Sequence, residues 1–539
     1  MKLRALFSAC IAGASLLGFA QTHVEGIEYY NADQFNNARE LLTRNMNNSG
    51  TDKAMSNFYL GQISLLEKDI NKAKSYFEAG IAANPENAYN YVGLGQILLP
   101  TDPKAAQAQF KLAEKYGKKD AALQVAIARA YYDVDPVTYE KEITKRLTKA
   151  QSTDLNEPAI YIFEGDRARD VKNWGEAAGQ YEMAINFDPQ TPAAYVKYAN
   201  MYKLVNPAYT IMKLQELLQK NPSSALGQRE LANAYYQQDK YKEAAEAYGK
   251  YVNNPNHFKQ DEDRYALLLF SDGDYQKGYD YASGLLASDS NNFTAQRFQF
   301  MNAAQIKEME SQLLPMAEAL WNAHKANSAN KFAPIDYTLI ADEFNRAKRP
   351  EEAIAVLQEG ITEIPEQKSL IKDLALVYYD MNDNMKALDL LKKYASEVSN
   401  LNYSDAFLLA NIAYVASFDA PDAAAKSDLL KTAASYAEKA AELNPKSYRP
   451  VKRQGDIAGI AAGGGAAGNA AKLPLYIKAA EMIEQNGETP SASDAQDIYV
   501  TIGEYYRTQG NNAAAKDAFS KYLKVQPGDA NIQKIVNSL

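Results

Sequence analysis

Apolar and small residues recur at three- and four-residue spacing along most of the chain, which is the period of an amphipathic helix. The stretch from Pro158 to Pro189 shows the pattern most clearly. It predicts two helices that meet at Lys172-Asn173. The second helix should end at Asp188-Pro189, because proline cannot continue a helix. No alternating pattern of useful length predicts a β-strand, so the sequence predicts an all-α protein made of helical pairs.

Close packing is predicted between the two helices of this reference pair. Gly165 and Ala177 lie twelve positions apart, one on each predicted helix. Small residues there would let the two backbones approach closely. We expect Trp174 and Tyr181 to fill the volume beside them.

The same order of residues recurs along the chain. An early copy carries Leu60, Gly61, Ala73, Phe77 and Pro85, and a late copy carries Tyr499, Gly503, Ala515, Phe519 and Pro527. This pattern resembles the tetratricopeptide repeat, a helix-turn-helix unit of about 34 residues that stacks into a superhelix. The resemblance covers nearly all of the chain after residue 20. It implies a right-handed superhelical solenoid of about fourteen helical pairs, with a C-terminal capping helix at Asp529 to Leu539.

Residues 1–20 have the pattern of a secretory signal peptide. Lys2 and Arg4 precede an apolar or small run, which ends on a small-x-small site before Gln21. The run is too short for a comfortable membrane span. Cys10 is the single cysteine, so the cleaved chain would have no disulfide or thiol chemistry. A large exported chain without cysteine suits a bacterial envelope; we expect the periplasm, with association with the outer membrane left open.

An irregular stretch divides the repeats. We expect an N-terminal solenoid segment at 21–292, an irregular helical joint at 293–333 and a C-terminal solenoid segment at 334–539. The joint should contain a long helix around Met309 to Lys325, and the sequence leaves open whether it is rigid or a hinge. The glycine-rich stretch Ala461 to Asn469 should be a flexible loop, because it lacks the spacing of a phosphate-binding loop.

The sequence contains no recognisable catalytic set. His23, His257 and His324 are far apart, and no HExxH or GxSxG motif is present. The 58 Lys+Arg and 67 Asp+Glu residues are interspersed, without the basic block that nucleic-acid binding needs. We therefore expect a protein that is not an enzyme and has no cofactor or metal. We also expect no nucleic-acid partner and no transmembrane segment after signal cleavage.

Tyrosine is frequent, with 38 residues. Some of them occur as doublets, for example Tyr131-Tyr132, Tyr235-Tyr236, Tyr378-Tyr379 and Tyr505-Tyr506. Successive residues on a helix point about 100° apart, so one ring of each doublet should face a groove or solvent. Tyrosine is favoured at interfaces because it combines a large apolar area with a hydrogen-bonding tip.

The resemblance also implies a binding face. In this family the first helix of each pair lines a concave surface that binds extended or helical segments of partner proteins. The partner-binding face of the central repeats would then include Asp166, Arg169, Lys197, Asn200, Arg229, Asn233 and Tyr236. Arg229 and Asn233 resemble part of the carboxylate clamp that some members use to hold a C-terminal carboxylate. The other clamp residues are not evident.

Two functions are compatible with the sequence. The leading hypothesis is a non-catalytic protein–protein interaction scaffold of the bacterial cell envelope, which holds segments of other envelope proteins in its groove. The alternative is a glycan- or peptidoglycan-binding module that uses exposed tyrosines as stacking platforms.

Overall fold

A computed structural model describes residues 22–539, and the predicted signal peptide lies outside these described residues. The described residues form helices and turns, without a β-strand. The chain divides into two compact units, Met1–Ser290 and Asn291–Leu539. Each unit is a solenoid of stacked helical pairs, which confirms the predicted all-α repeat fold. The role of residues 293–333 as a joint stays a prediction.

Eight helical pairs make up the described part of unit 1. Their helices are α1 (His23–Asn31), α2 (Phe35–Arg44), α3 (Lys53–Leu66), α4 (Ile70–Ala83), α5 (Ala88–Leu98), α6 (Pro103–Tyr116), α7 (Ala121–Val134), α8 (Glu140–Thr153), α9 (Pro158–Asp170), α10 (Trp174–Phe187), α11 (Pro192–Tyr202), α12 (Pro207–Lys220), α13 (Ala225–Tyr236), α14 (Tyr241–Tyr251), α15 (Gln260–Asp272) and α16 (Tyr275–Ser288).

Unit 2 contains six pairs and a final helix, the predicted cap. Its helices are α17 (Phe293–Ala303), α18 (Leu313–Ala326), α19 (Pro334–Arg346), α20 (Pro350–Glu363), α21 (Ser369–Asp380), α22 (Asn384–Glu397), α23 (Tyr403–Ala416), α24 (Ala423–Leu443), α25 (Tyr448–Ala461), α26 (Gly465–Asn486), α27 (Ala492–Ala495), α28 (Thr501–Thr508), α29 (Asn512–Val525) and α30 (Ala530–Ser538). A π-helical turn, Gln496–Val500, joins α27 to α28.

Two local predictions for unit 2 need correction. The helix expected around Met309 to Lys325 begins later, because Lys307–Gln312 forms a 3₁₀ turn before α18. The glycine-rich stretch is a loop only up to Gly464, and the residues after it form the first turns of α26. A Cβ atom on Gly468 would lie 2.6 Å from the carbonyl oxygen of Gly459, so glycine lets α25 and α26 cross closely.

The turns within the pairs share a backbone conformation. In many pairs the residue directly before the N-cap of the second helix has a positive φ angle. This left-handed conformation reverses the chain in the few residues between antiparallel helices. The position is held by Asp33, Lys68, Lys172, Asp239, Lys348 and Asn382, and by glycine at 273 and 510.

The predicted contact inside the reference pair is present, with one correction. A Cβ atom on Gly165 would lie 2.5 Å from Cε1 of Tyr181, whose ring is fully buried. Ala177 is also fully buried. The expectation for Trp174 was wrong: it is the first residue of α10, and 55% of it is exposed. Tyrosine therefore fills the space that glycine leaves.

Replacing Gly165 with leucine should lower the free energy of unfolding of unit 1 by about 1–3 kcal/mol, because the new side chain overpacks against Tyr181. Gly179 provides a matched control on α10, since it is exposed and a Cβ atom there would meet nothing within 4 Å. Gly179→Leu should be neutral or stabilising by about 0.5–1 kcal/mol through helix propensity. Urea unfolding measures both variants, and equal effects would contradict the packing assignment.

Candidate functional site: the first-helix face of unit 1

In unit 1 the first helices α3, α5, α7 and α9 contact one another in order, as do α11 and α13, and Lys197 on α11 bonds to Asp166 on α9. We call the surface of these helices the first-helix face. All seven residues predicted to bind a partner lie on three of these helices. Asp166 and Arg169 are on α9, Lys197 and Asn200 are on α11, and Arg229, Asn233 and Tyr236 are on α13. Their role in binding stays a prediction, but their contacts can be described.

The first helical pair packs against the later part of this face. Besides its neighbour α3, helix α1 contacts α11 and α13, more than 160 residues further along the chain. We call the contact of α1 and α2 with α9, α11, α13 and the turn 252–259 the closing contact. The first pair is therefore held in place both by the next pair, α3–α4, and by the pairs α11–α12 and α13–α14.

Two carboxylates of α1 cap the helices they meet. Glu28 Oε2 accepts a hydrogen bond of 3.0 Å from the backbone N–H of Ala193, in the first turn of α11. The N-cap residue of that helix, Thr191, makes no side-chain cap hydrogen bond. Glu25 Oε1 accepts 2.7 Å from the N–H of Leu226, in the first turn of α13. Free N–H groups and the helix dipole both favour a carboxylate at these positions.

A charged network forms the edge of the closing contact. Asp33 Oδ2 accepts hydrogen bonds of 2.6 Å from both Arg169 and Lys197. Lys197 is buried and also donates to Asp166 at 2.8 Å, and Arg129 donates to the other oxygen of Asp166 at 2.6 Å. Burial opposes ionisation of Asp166, but Arg129 and Lys197 hold its pKa at about 2. Three of the predicted face residues thus belong to one network that reaches the first pair.

The turn between α14 and α15 completes the closing contact. Arg44 donates to the carbonyl oxygen of His257 at 3.0 Å, and Asn45 donates to Asn256 at 3.2 Å. The ring of Tyr29 meets the ring of Phe258 edge-on, with centroids 5.3 Å apart. Behind these contacts, one continuous apolar core joins α1 and α2 to helices α11–α15. The contact is therefore apolar inside and polar at its edge.

The side chains of the proposed clamp already have partners within the chain. Arg229 forms a two-pronged ion pair with Asp261, at 2.6 and 3.2 Å. Asn233 accepts hydrogen bonds from the hydroxyl of Tyr248 and from Arg264. The guanidinium that resembled a clamp residue thus binds a carboxylate of its own chain.

Asn200 and Asn233 line a cavity of about 280 Å³ between α11, α12 and α13. Its apolar wall includes Val196, Ala199, Leu214 and Ala234, and its rim carries Lys203, Leu204, Glu230 and Gln237. Asn200 is exposed, and Leu204 at the rim is 93% exposed. This is the part of the predicted face where polar and apolar groups surround an open space.

The tyrosines are mostly involved in packing. In the described chain, Tyr116, Tyr241 and Tyr505 are the exposed ones. The predicted split within doublets is seen at Tyr131-Tyr132 and Tyr378-Tyr379, where the first ring is buried and the second half-buried, and at Tyr505-Tyr506. Both rings of Tyr235-Tyr236 are half-buried. The three exposed rings available to the glycan-binding alternative are therefore far apart in the sequence.

The histidines serve local structure. Within residues 22–539, no group of three or more His, Cys, Asp and Glu side chains could hold a metal ion. In both His257 and His324, Nδ1 faces a backbone carbonyl and Nε2 faces a glutamate. The partners are Asn254 (2.7 Å) and Glu262 (2.9 Å) for His257, and Asn330 (2.6 Å) and Glu359 (3.0 Å) for His324. His23 Nδ1 accepts from the N–H of Asp52.

Over the same described range, no helix has both the length and the apolar character to cross a bilayer.

The closing contact was not predicted from the sequence. Residues 22–44 read as an ordinary first pair, and the periodicity identifies neighbours within a pair or between adjacent pairs. The contacts of Glu25 and Glu28 link positions 201 and 165 apart. Such links depend on how far the stack curves over six pairs, which local periodicity does not specify.

Comparisons with known proteins agree with the fold. Residues 56–87 and 496–529 match the sequence profile of the tetratricopeptide repeat. These segments are the pair α3–α4 and the last pair, from the π-helical turn to the end of α29. A comparison with curated proteins finds no significant relative.

Several solved structures are similar to this chain at low identity. The C-terminal part of a TPR repeat-containing protein from Cytophaga hutchinsonii is 15% identical, with a TM-score of 0.41, over 51% of this chain and 99% of that one. Yeast Tom70 is 14% identical, with a TM-score of 0.32, over 96% and 98%. Human IFIT1, crystallised as a dimer with PPP-AAAA, is 15% identical, with a TM-score of 0.34, over 67% and 83%.

The closing contact should weaken as the pH rises. Burial raises the pKa of both Glu25 and Glu28 from the ordinary 4.5 to about 7. Hydrogen bonds from the N–H groups of Leu226 and Ala225 and from the Ser224 hydroxyl lower the pKa of Glu25 in part. The N–H of Ala193 lowers the pKa of Glu28 in the same way, whereas the nearby carboxylates of Glu25 and Asp188 raise it further. Between pH 4.5 and 7 the folded protein therefore binds more protons than the unfolded chain, so its stability falls as the pH rises.

Thermal unfolding at pH 5 and pH 8 tests this expectation. The wild type should lose more stability between the two values than the double variant Glu25→Gln/Glu28→Gln, in which these positions no longer titrate. Other carboxyl groups titrate equally in both proteins and cancel in the comparison. Identical pH dependence in the two proteins would show that the two glutamates do not titrate as described.

Proposed function

This chain is a tetratricopeptide-repeat protein, and we propose that it is a non-catalytic scaffold that binds segments of other proteins in a bacterial cell envelope. The location follows from the signal-peptide pattern of residues 1–20. The periplasm is the expected compartment, with the outer membrane as a place of association. Tetratricopeptide-repeat proteins bind protein partners through preformed surfaces, and a rigid stack of pairs supplies such a surface.

The observation that carries the proposal is the cavity at Asn200 and Asn233. An amide side chain both donates and accepts hydrogen bonds, so it can pair with the backbone of a bound segment. The apolar wall of the cavity can take an apolar side chain of that segment, and its volume of about 280 Å³ is close to the lower end of ligand pockets. Leu204 and the neighbouring Val205, at 93% and 79% exposure, add an apolar edge.

Site-specific photo-crosslinking in cells tests the proposal. A photoreactive amino acid at Asn200 or Leu204 should join the chain to one or a few envelope proteins, identified by mass spectrometry. Lys220 is the matched control, since it is exposed at the end of α12 and does not line the cavity. Crosslinking of the same proteins with equal yield from Lys220 would contradict a specific site at the cavity.

A fluorescence titration with glycans, combined with the crosslinking result, separates the scaffold from the glycan-binding alternative. A scaffold should show no change of tyrosine fluorescence on addition of peptidoglycan fragments or envelope polysaccharide. Glycan-induced quenching, together with an absence of protein crosslinks from Asn200 and Leu204, would favour the glycan-binding module.

A further inference from the structure

The first helical pair covers part of the first-helix face. We call α1 and α2 the resident pair, and the part of α9, α11 and α13 that they cover the receptor surface. The resident pair is connected to the rest of the chain through the short segment 45–52, yet its polar partners in the closing contact lie up to 213 positions away. Those partners include Arg169 and Lys197, which the resemblance independently assigned to the partner-binding face. The surface predicted to hold a partner segment thus holds a segment of its own chain.

The receptor surface selects carboxylates at defined spacing. It offers the N-terminus of α13 to Glu25, the N-terminus of α11 to Glu28, three positions later, and the Arg169–Lys197 pair to Asp33, five positions after that. The apolar side of the same segment, including Tyr29, enters the shared core. A helix N-terminus donates its free N–H groups to carboxyl oxygens, and the paired cations favour an anionic group. The matching ligand is therefore an amphipathic helix with acidic residues at these positions.

The resident pair fits this surface imperfectly. The hydroxyl of Tyr29 is buried and has no hydrogen-bond partner among the described residues. A buried polar group without a partner weakens the contact that contains it. A helix without this buried hydroxyl would bind the same surface more tightly.

We propose that this surface is a binding site for an acidic amphipathic helix of a partner protein, which binds by displacing α1 and α2. The proposal rests on the scaffold function proposed above and adds the class of partner. The resident pair keeps the surface covered until a better-fitting helix arrives. Because the first pair is tethered to the surface by a short segment, its effective concentration there is on the order of millimolar. A partner helix must therefore bind tightly enough to compete with this tethered pair.

A peptide of residues 22–46 with a fluorescent label, titrated into the full-length chain, tests the proposal by anisotropy. The wild type should bind it weakly because the resident pair competes. Glu28→Lys/Asp33→Lys weakens the resident and leaves the receptor surface unchanged, so this variant should bind the native peptide at least tenfold more tightly. Asn36→Lys is the matched control, because it adds a charge at an exposed position of α2 outside the closing contact and should bind as the wild type does.

Two altered peptides test the recognition itself. A peptide with Asp33→Asn should lose at least tenfold in affinity for the charge-reversed chain, because the charge that Arg169 and Lys197 bind is gone. A peptide with Tyr29→Phe should bind more tightly than the native one, since it removes the unpartnered hydroxyl. If the double charge reversal lowers the helix content measured by circular dichroism, the milder Asp33→Asn chain replaces it.

The proposal is overturned if the folded, weakened chain gains no affinity for the native peptide, or if the neutralised peptide binds equally well. Crosslinking from Asn200 is a separate test, because this residue does not belong to the closing contact. Protein crosslinks there without peptide binding would overturn the acidic-helix inference and leave the scaffold function standing.

Discussion

A helical pair of this type cannot bury its apolar side by itself, and this constraint governs both units. Interior pairs satisfy it by packing between two neighbours. The first described pair and the last pair are covered in different ways. At the C-terminus α30 covers the last pair. In unit 1 the first pair instead shares a core with helices α11–α15.

The closing contact also shows how charge is used in a protein with an excess of acidic residues. Carboxylates from the first pair are distributed over two helix N-termini and one cationic pair, so two of them bind backbone N–H groups and the third binds charged side chains. The cationic pair is shared with Asp166, which the surrounding Arg129 and Lys197 keep ionised. The face that a partner would approach is therefore already organised electrostatically, with the cavity at Asn200 and Asn233 beside it.

The sequence predicted what depends on local periodicity. The contact of Gly165 with Tyr181, the all-α repeat fold and the capping helix all follow from residues within one or two pairs. Trp174 was misplaced because periodicity assigns a residue to a helix face without distinguishing the first turn, where a side chain can point past its neighbour. The seven candidate residues lie on first helices, as expected, but their role in binding stays a prediction, and the sequence did not predict that the first pair contacts them. A contact such as that of Glu28 with Ala193 depends on the accumulated curvature of several pairs.

The most direct test of this account is the distance across the closing contact in solution. Spin labels at Asn36→Cys and Gln190→Cys, two exposed positions of unit 1, would be the only thiol attachment sites in a chain with Cys10 removed or replaced. Electron–electron double resonance should give one narrow distance distribution, which becomes broader and longer after Asp33→Lys. A broad distribution in the wild-type background, unchanged by Asp33→Lys, would mean that the first pair is not held against α11 and α13.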